Sequence, residues 1–188
     1  AANTLAGETP LFIFSDAPRN DAARRQVEEV RSYIRTITGF QSITIIERPT
    51  NLGLARSIID GVTGLCEKYG RVIVVEDDLV TSSRFLSYMN DALTFYEHDT
   101  HVMQISGHIA DVPEFSRKTE ALFMPFITSW GWGTWDRAWR HFDPTAHGWE
   151  KILDDRALRN RFNLDSHFDY ATMLQMQLDG KIDSWAIR

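Results

Sequence analysis

Residues 71–83 read RVIVVEDDLVTSS, and this stretch decides how the rest of the chain is interpreted. Four apolar residues, 72–75, are followed at once by the three acids Glu76, Asp77 and Asp78. A short, continuous apolar run is typical of a buried strand in a parallel sheet. Because neighbouring carboxylates repel one another, three acids at the end of such a strand indicate a site for a cation. The alternative interpretation is that these acids begin a solvated loop that caps the next helix.

Strand-like and helical patterns alternate on both sides of this stretch. Apolar runs predict strands at residues 11–18, 42–48, 71–76, 101–107 and 121–129, the last interrupted by Pro125. Apolar residues three and four positions apart predict helices at residues 20–36, 51–70 and 83–96, with Gly70 ending the second. This order predicts an α/β fold: a three-layer α/β/α sandwich with a mainly parallel sheet, formed by residues 1–188 as one domain.

Asp16 and the acids at 76–78 each follow a predicted strand. Ligands of open α/β sheets bind beyond the carboxyl ends of the strands, so we expect these acids to lie along one edge of the sheet. Side chains alternate along a strand, which predicts that Glu76 and Asp78 face one way and Asp77 the other. Carboxylate oxygens favour Mg²⁺ or Mn²⁺, completed by the phosphates of a substrate.

Composition and charge exclude several classes of protein. The chain is 43% hydrophobic and 24% charged, which is ordinary for a globular domain. Cys66 is its only cysteine, which excludes an intrachain disulfide and a cysteine-based metal site. A net charge of −6 without a basic block argues against a nucleic-acid partner. No run approaches the about 20 apolar residues of a membrane span, so we expect a cytoplasmic location, including the inner face of the membrane.

Four segments, in this order, carry a resemblance to a known family: FIFSDAP, NLGLARSI, RVIVVEDDLVTSSRFLSYMNDAL and FITSWGWGTWDRAW. They resemble the GT-A fold glycosyltransferases, in particular the N-acetylglucosaminyltransferase I type and related bacterial sugar transferases. The resemblance covers most of the chain. It implies a Rossmann-like fold and a metal-dependent enzyme that uses Mn²⁺ or Mg²⁺. Such an enzyme transfers a sugar, with inversion, from a nucleotide-sugar such as a UDP-sugar to a hydroxyl of a glycan or glycoconjugate acceptor.

The resemblance also implies roles for individual residues. Asp78 matches the carboxylate that binds the metal of the nucleotide-sugar, Asp77 the acid near the ribose and donor sugar, and Glu76 the acid that supports the site. Asp16 matches the strand-end aspartate that binds the nucleotide base. Arg56 matches a basic residue near the donor, although an ordinary surface arginine on a helix is an equally good interpretation.

The segment TSWGWGTWDRAW, residues 128–139, is rich in tryptophan and glycine. Trp130 and Trp132 are candidates for donor binding, because glycines allow close approach of a ligand and indoles pack on sugar faces. A structural role for these two tryptophans is an equally good interpretation. Trp135 and Trp139 lie four positions apart and are predicted to be core residues of a helix.

An inverting transferase needs a base that removes the proton of the acceptor hydroxyl. Asp169, in SHFDYATML, matches the family's base best, and Asp183 and Asp165 are the alternatives. Asp165 is also interpretable as a helix N-cap. His108 and Asp111 follow the fourth predicted strand and are candidates for contact with the donor sugar, although loop histidines are more often structural.

The family begins with a strand and a helix ahead of the strand that carries the base-binding aspartate. This chain starts at AANTLAGETP, so we expect a fragment, truncated at both ends, that lacks the family's first strand and helix and binds nucleotide weakly. An exposed sheet edge would favour a homodimer. Two other function classes stay open: a non-catalytic carbohydrate- or nucleotide-binding domain, and a magnesium-binding receiver-like signalling module. The second is disfavoured because no lysine follows a predicted strand at a suitable place.

Overall fold

The computed structural model describes residues 3–109, 111–116 and 120–188. The strands are β1 (Pro10–Ser15), β2 (Ser42–Glu47), β3 (Arg71–Val74), β4 (Ile105–Ser106) and β5 (Trp132–Trp135). The longer helices are α1 (Arg24–Ile34), α2 (Leu54–Tyr69) and α3 (Phe85–Phe95). Shorter helices are α4 (Pro113–Ser116), α5 (Asp136–Trp139), α6 (Glu150–Asp154), α7 (Arg156–Phe162) and α8 (Tyr170–Leu178). Short 3₁₀ turns occupy Ala6–Glu8 and Asp21–Ala23.

The strands form two small sheets. Strands β1 and β2 pair in parallel, with Leu11 opposite Ile43. In the second sheet β5 lies between β3 and β4 and is antiparallel to both, with Trp132 opposite Val74 on one side and Ser106 on the other. The mixed α/β class is therefore confirmed. The prediction of a mainly parallel sheet was wrong for the described residues, because the strand at the centre of the second sheet runs against its neighbours.

Helix α2 packs against both sheets. The ring of Tyr69, at its end, lies 5.6 Å from that of Phe12, and a Cβ on Gly61 would lie 3.2 Å from the ring of Phe14. Strand β3 begins directly after Gly70, the residue that ends α2 as predicted. Strands β1 and β3 therefore both run antiparallel to α2, and their carboxyl ends lie near its N-terminal end.

Two clusters of buried side chains form the core of the described part of the chain. The first lies between α3 and the second sheet and contains Phe85, Met89, Leu93, Val102, Ile105, Trp135 and Ala138. The second surrounds α2 and contains Ala55, Val62, Cys66, Trp132 and Trp185. The apolar spacing of α2 predicts that Leu54 and Val62 lie on its buried face, but Leu54 is exposed, and the buried residues are Ala55 and Val62. In α1, Val30 is likewise exposed and Ile34 is buried.

Strand β5, with the sequence WGTW, was not predicted. A Cβ on Gly133 would lie 3.0 Å from Met89 Cε and 3.1 Å from Leu93 Cδ1, so the glycine makes room for α3. Trp135 ends this strand and donates from Nε1 to the Leu93 carbonyl at 3.0 Å, whereas Trp139 ends α5. The prediction of one helix holding both tryptophans was therefore wrong, although Trp135 is a core residue as expected.

Two predicted strands are shorter or absent. Strand β4 covers only Ile105–Ser106 of the run at 101–107, and the described residues of the run at 121–129 form no strand. Pro125 interrupts the second run and cannot donate to a ladder, which is consistent with its irregular backbone. In the part of the chain that the structure describes, no helix has the length and apolar character needed to cross a membrane.

Candidate functional site

The carboxyl ends of four strands lie at the same end of the molecule. Strands β1 and β2 are parallel, β3 runs in the direction of β1 because both oppose α2, and β4 runs with β3 because both oppose β5. The residues that follow these strands include Asp16, Arg48, Glu76 and His108. We call the surface defined by these four residues the carboxyl edge.

The acids of the EDD motif form a turn at this edge, which we call the acidic turn (Glu76, Asp77 and Asp78). Strand β3 already ends at Val74, and the N–H of Leu79 donates to the Glu76 carbonyl at 3.3 Å. Asp77 and Asp78 are exposed, and Glu76 is half-buried. The alternation expected of strand residues therefore does not apply to these three acids, and that prediction was wrong.

The acidic turn brings the carboxyl groups of three consecutive residues close together. Burial raises the pKa of the Glu76 carboxyl, and the charges of Asp78 and Asp77 raise it further. None of the three acids forms an ion pair within the described residues. A divalent cation at this turn would relieve the repulsion between the carboxylates.

The residues at the acidic turn fit a metal that is held largely by its substrate. Among the described residues, no group of three or more His, Cys, Asp or Glu side chains is arranged to hold an ion. Mg²⁺ is commonly bound by one or two carboxylates together with phosphates and water, and does not require a cage made wholly of protein ligands. The exposed Asp78 and Asp77 match that pattern.

Asp16 fixes the loop that leads into α2. Its Oδ1 accepts from the N–H of Ala17 and of Leu52, both at 2.9 Å, and its Oδ2 accepts from Leu52 at 3.0 Å and from Gly53 at 2.9 Å. Asn51 adds a bond from Nδ2 to the Ala17 carbonyl at 2.6 Å. Four accepted bonds use the lone pairs of a carboxylate, so the geometry makes Asp16 an organiser of this loop. Its contact with a nucleotide base stays a prediction.

Asp183 reaches the same loop from the far end of the chain. Its Oδ2 accepts from the N–H of Ala55 at 3.4 Å, at the N-terminal end of α2, where the helix dipole favours a negative charge. Gly53 has φ 78° and ψ 166°, and a Cβ there would lie 2.9 Å from the same oxygen. Asp16 and Asp183 therefore meet on either side of Gly53, so Asp183 belongs to the carboxyl edge.

Several other predicted site residues are accessible at this end of the molecule. Trp130 is 56% exposed, and its ring meets that of His108 edge to face at 4.8 Å between centroids. The side chain of Arg56, in the first turn of α2, is 72% exposed and lies 3.7 Å from the Oδ2 of Asp60. Asp111 is exposed in the segment that follows β4.

Trp132 lies in the core. It is 1% exposed and stacks on Trp185 with 4.6 Å between ring centroids. This burial contradicts the prediction that Trp132 contacts the donor, because neither face of the indole is available to a ligand. Trp185 was missed as a core residue, since no local spacing connects it to a tryptophan 53 positions earlier.

Asp169 is engaged as the N-cap of α8. Its carboxylate accepts from the Thr172 hydroxyl at 2.6 Å, from the Thr172 N–H at 3.2 Å and from Asn163 Nδ2 at 3.2 Å. These bonds, led by that of the Thr172 hydroxyl, lower the pKa of Asp169 and so weaken it as a base. Asp165 instead has φ 54° and accepts from Asn160 Nδ2 at 3.3 Å, so its interpretation as a helix N-cap was wrong.

Arg31 is a residue of the carboxyl edge that the sequence interpretation missed. From α1 it donates to the Asp16 carbonyl at 3.2 Å and to the Arg48 carbonyl at 3.1 Å, and it lies 3.4 Å from Glu47. It therefore joins the ends of β1 and β2. The available signal was its position three residues before Ile34, on the face of α1 that packs inward.

The structure thus groups most of the predicted site residues in three contacts at one end of the molecule: the acidic turn, the Asp16–Asp183 loop and the His108–Trp130 pair. Asp169 takes part in none of these three contacts and caps the start of α8. Comparisons with protein-family models, with curated proteins and with solved structures found no match for this chain.

Proposed function

We propose that this chain is a metal-dependent glycosyltransferase domain of the GT-A type, with a three-layer α/β/α arrangement. It transfers a sugar from a nucleotide-sugar, in the first instance a UDP-sugar, to a hydroxyl of a glycan or glycoconjugate acceptor. The observation that carries the proposal is the acidic turn, whose three acids form no ion pair in the described structure and lie where α/β sheets bind ligands. The resemblance of the EDDL segment to that family supports the same conclusion.

In this proposal Asp78 holds Mn²⁺ or Mg²⁺ through its exposed carboxylate, and Asp77 lies next to the ribose and donor sugar. The ion supplies stabilisation of the negative charge that develops on the diphosphate leaving group. Glu76 is half-buried with a raised pKa, and its main-chain carbonyl closes the turn that presents the other two acids. The exposed indole of Trp130, held against His108, offers a flat face for the donor sugar.

The acceptor must lose a proton as its oxygen attacks the anomeric carbon. In this step the new C–O bond forms while the bond from the anomeric carbon to the diphosphate oxygen breaks, and a carboxylate takes the hydroxyl proton. The geometry favours Asp183 over Asp169 for this role. Asp183 is exposed at the carboxyl edge and accepts one long bond of 3.4 Å within the described residues, whereas Asp169 accepts three bonds as an N-cap, and these lower its pKa.

Thermal melts with UDP and Mn²⁺ test the proposal. A ligand at 100 times its Kd stabilises a protein by about 2.7 kcal/mol, or about 5–10 °C for a chain of this size. We expect this rise for the unmodified chain, and we expect it to disappear in Asp78→Ala. Asp91→Asn, which removes an exposed acid from α3, is the matched control and keeps the full rise. No rise with UDP or any other nucleotide in the presence of Mn²⁺ would contradict the proposal.

A second measurement separates the transferase from a non-catalytic binding domain, the alternative that the exposed Trp130 also favours. Release of UDP from UDP-sugars is followed over a panel of acceptor glycans. We expect turnover that Asp183→Asn abolishes while the UDP-dependent rise in melting temperature is kept. Binding of UDP without turnover of any sugar donor would assign the chain to the non-catalytic class.

A further inference from the structure

A groove at the carboxyl edge has a lining unlike the acidic turn. It has a volume of about 470 Å³ and lies between α1 and the segments that follow β1 and β2. Four arginines line it, Arg19, Arg24, Arg31 and Arg48, and Glu28 is the one acid among the described lining residues. In a chain whose net charge is −6, this groove concentrates positive charge at one place.

Two of these arginines are already neutralised. Arg24 lies 2.8 Å from a carboxylate oxygen of Asp21, and Arg31 lies 3.4 Å from one of Glu47. The guanidinium group of Arg31 also donates hydrogen bonds to main-chain carbonyls, so its role at the groove is structural. The charge available to a ligand must therefore come from the other two arginines.

Arg48 and Arg19 form no ion pair within the described residues. The Nε of Arg48 is buried and has no hydrogen-bond partner in the described part of the chain. Its guanidinium carbon lies 5.3 Å from the ring centroid of Phe14, and the ring steadies the cation without taking up its N–H donors. That Nε is covered by protein and is not open to a ligand. The terminal guanidinium nitrogens of Arg48, which form no hydrogen bond or ion pair within the described residues, are therefore the donors that remain for a ligand in the groove.

We propose that this groove is a binding site for a phosphate group, with Arg48 at its base and the exposed Arg19 at its mouth. The planar guanidinium fork matches phosphate oxygens and binds them through two parallel N–H donors. The acidic turn does not line the groove, so the site needs no metal and the inference does not rest on the proposed transferase activity. The phosphate belongs either to a soluble phosphorylated ligand or to the headgroup of an acidic lipid.

Calorimetric titration with inorganic pyrophosphate tests the site. The titration is run in EDTA, so that no metal-dependent site contributes, and at constant ionic strength. We expect saturable binding to the unmodified chain, about tenfold weaker binding in Arg19→Gln, and no binding in Arg19→Gln/Arg48→Gln. Arg25→Gln, which removes a largely exposed arginine of α1 outside the groove, is the matched control and keeps the affinity. Circular dichroism of each variant verifies that the fold is kept.

Vesicle sedimentation separates the two sources of phosphate. Co-sedimentation with phosphatidylcholine vesicles that contain phosphatidic acid, but not with pure phosphatidylcholine, would identify a lipid headgroup if pyrophosphate displaces the protein. Pyrophosphate binding without co-sedimentation would identify a soluble ligand. The proposal is overturned if the unmodified chain shows no saturable pyrophosphate binding, if Arg25→Gln loses as much affinity as Arg19→Gln, or if the double variant binds as tightly as the unmodified chain.

Discussion

Acids at the carboxyl edge have two opposite environments. Asp16 accepts main-chain hydrogen bonds with both carboxylate oxygens, and these bonds hold the loop before α2 in place. Glu76, Asp77 and Asp78 form no ion pair within the described residues, and burial together with the charges of Asp78 and Asp77 raises the pKa of Glu76. Local sequence located all four acids, because each follows an apolar run. It did not reveal that Asp16 faces backbone, since its partners are 36 and 37 residues away.

The raised pKa of Glu76 predicts a pH dependence of stability. Its pKa in the folded chain lies above the ordinary value of about 4.3, so the folded chain binds more protons than the unfolded one between these two values. Stability therefore falls as pH rises through that window, and the penalty is complete above it. Glu76→Gln removes the penalty, so its melting temperature should gain on that of the unmodified chain as pH rises, and then level off.

Melting temperatures of both proteins from about pH 4 to about pH 7 measure this difference. Asp77→Asn serves as the internal comparison, because it removes one of the charges that raise the pKa of Glu76. In that background the gain of Glu76→Gln should be smaller. A gain that is the same at every pH would contradict the assigned environment of Glu76.

Elements with a strong local pattern were predicted well, and those defined by remote packing were not. Strands β1, β2 and β3 and helices α2 and α3 appear within a few residues of their predicted positions, because the apolar period survives in one unbroken segment. Strand β5 was not recognised in the sequence because Gly133 interrupts its apolar pattern. A glycine is needed there because α3, some 40 residues away in the sequence, packs closely against it. The junction at Gly53 depends in the same way on Asp183.

The start of α2 gives a prediction that tests the requirement for glycine at position 53. The backbone of Gly53 lies in a region almost restricted to glycine, and an added Cβ would press on Asp183. We expect Gly53→Ala to cost about 1–3 kcal/mol of unfolding free energy. Gly64→Ala is the matched control in the same helix: its Cβ meets nothing within 4 Å, so it should stabilise by about 0.5–1 kcal/mol. Urea unfolding measures both, and equal effects would refute this account.

At the scale of the whole molecule, α2 holds together two sheets that do not pair with each other in the described structure. The sequence predicted a continuous sheet because each strand was identified from its own apolar pattern. That pattern does not specify which strands pair with one another. Among the described residues, strands β1 and β3 each have one edge that pairs with no other strand. Unpaired edges are templates for association, which supports the expected homodimer as a proposal.

The alternation of main-chain groups identifies which N–H groups a dimer would protect. The Ser15 carbonyl accepts from the Arg48 N–H at 2.8 Å, so the N–H groups of Phe12 and Phe14 point away from β2. The Gly70 carbonyl accepts from the Asp136 N–H at 2.8 Å, so the N–H of Ile73 points away from β5. We expect these three amides to exchange rapidly in dilute samples and slowly at millimolar concentration, as measured by NMR hydrogen exchange.

Two lysine substitutions test whether these edges carry the association. Val75 is 47% exposed and directly follows β3, so Val75→Lys places a charge beside the free edge and should shift the dimer towards monomer in sedimentation experiments. Val80→Lys adds the same charge at a residue that is 100% exposed and off the strand, and should leave the dimer unchanged. A chain that stays monomeric at millimolar concentration, or slow exchange of Phe12, Phe14 and Ile73 at every dilution, would show that these edges do not mediate association.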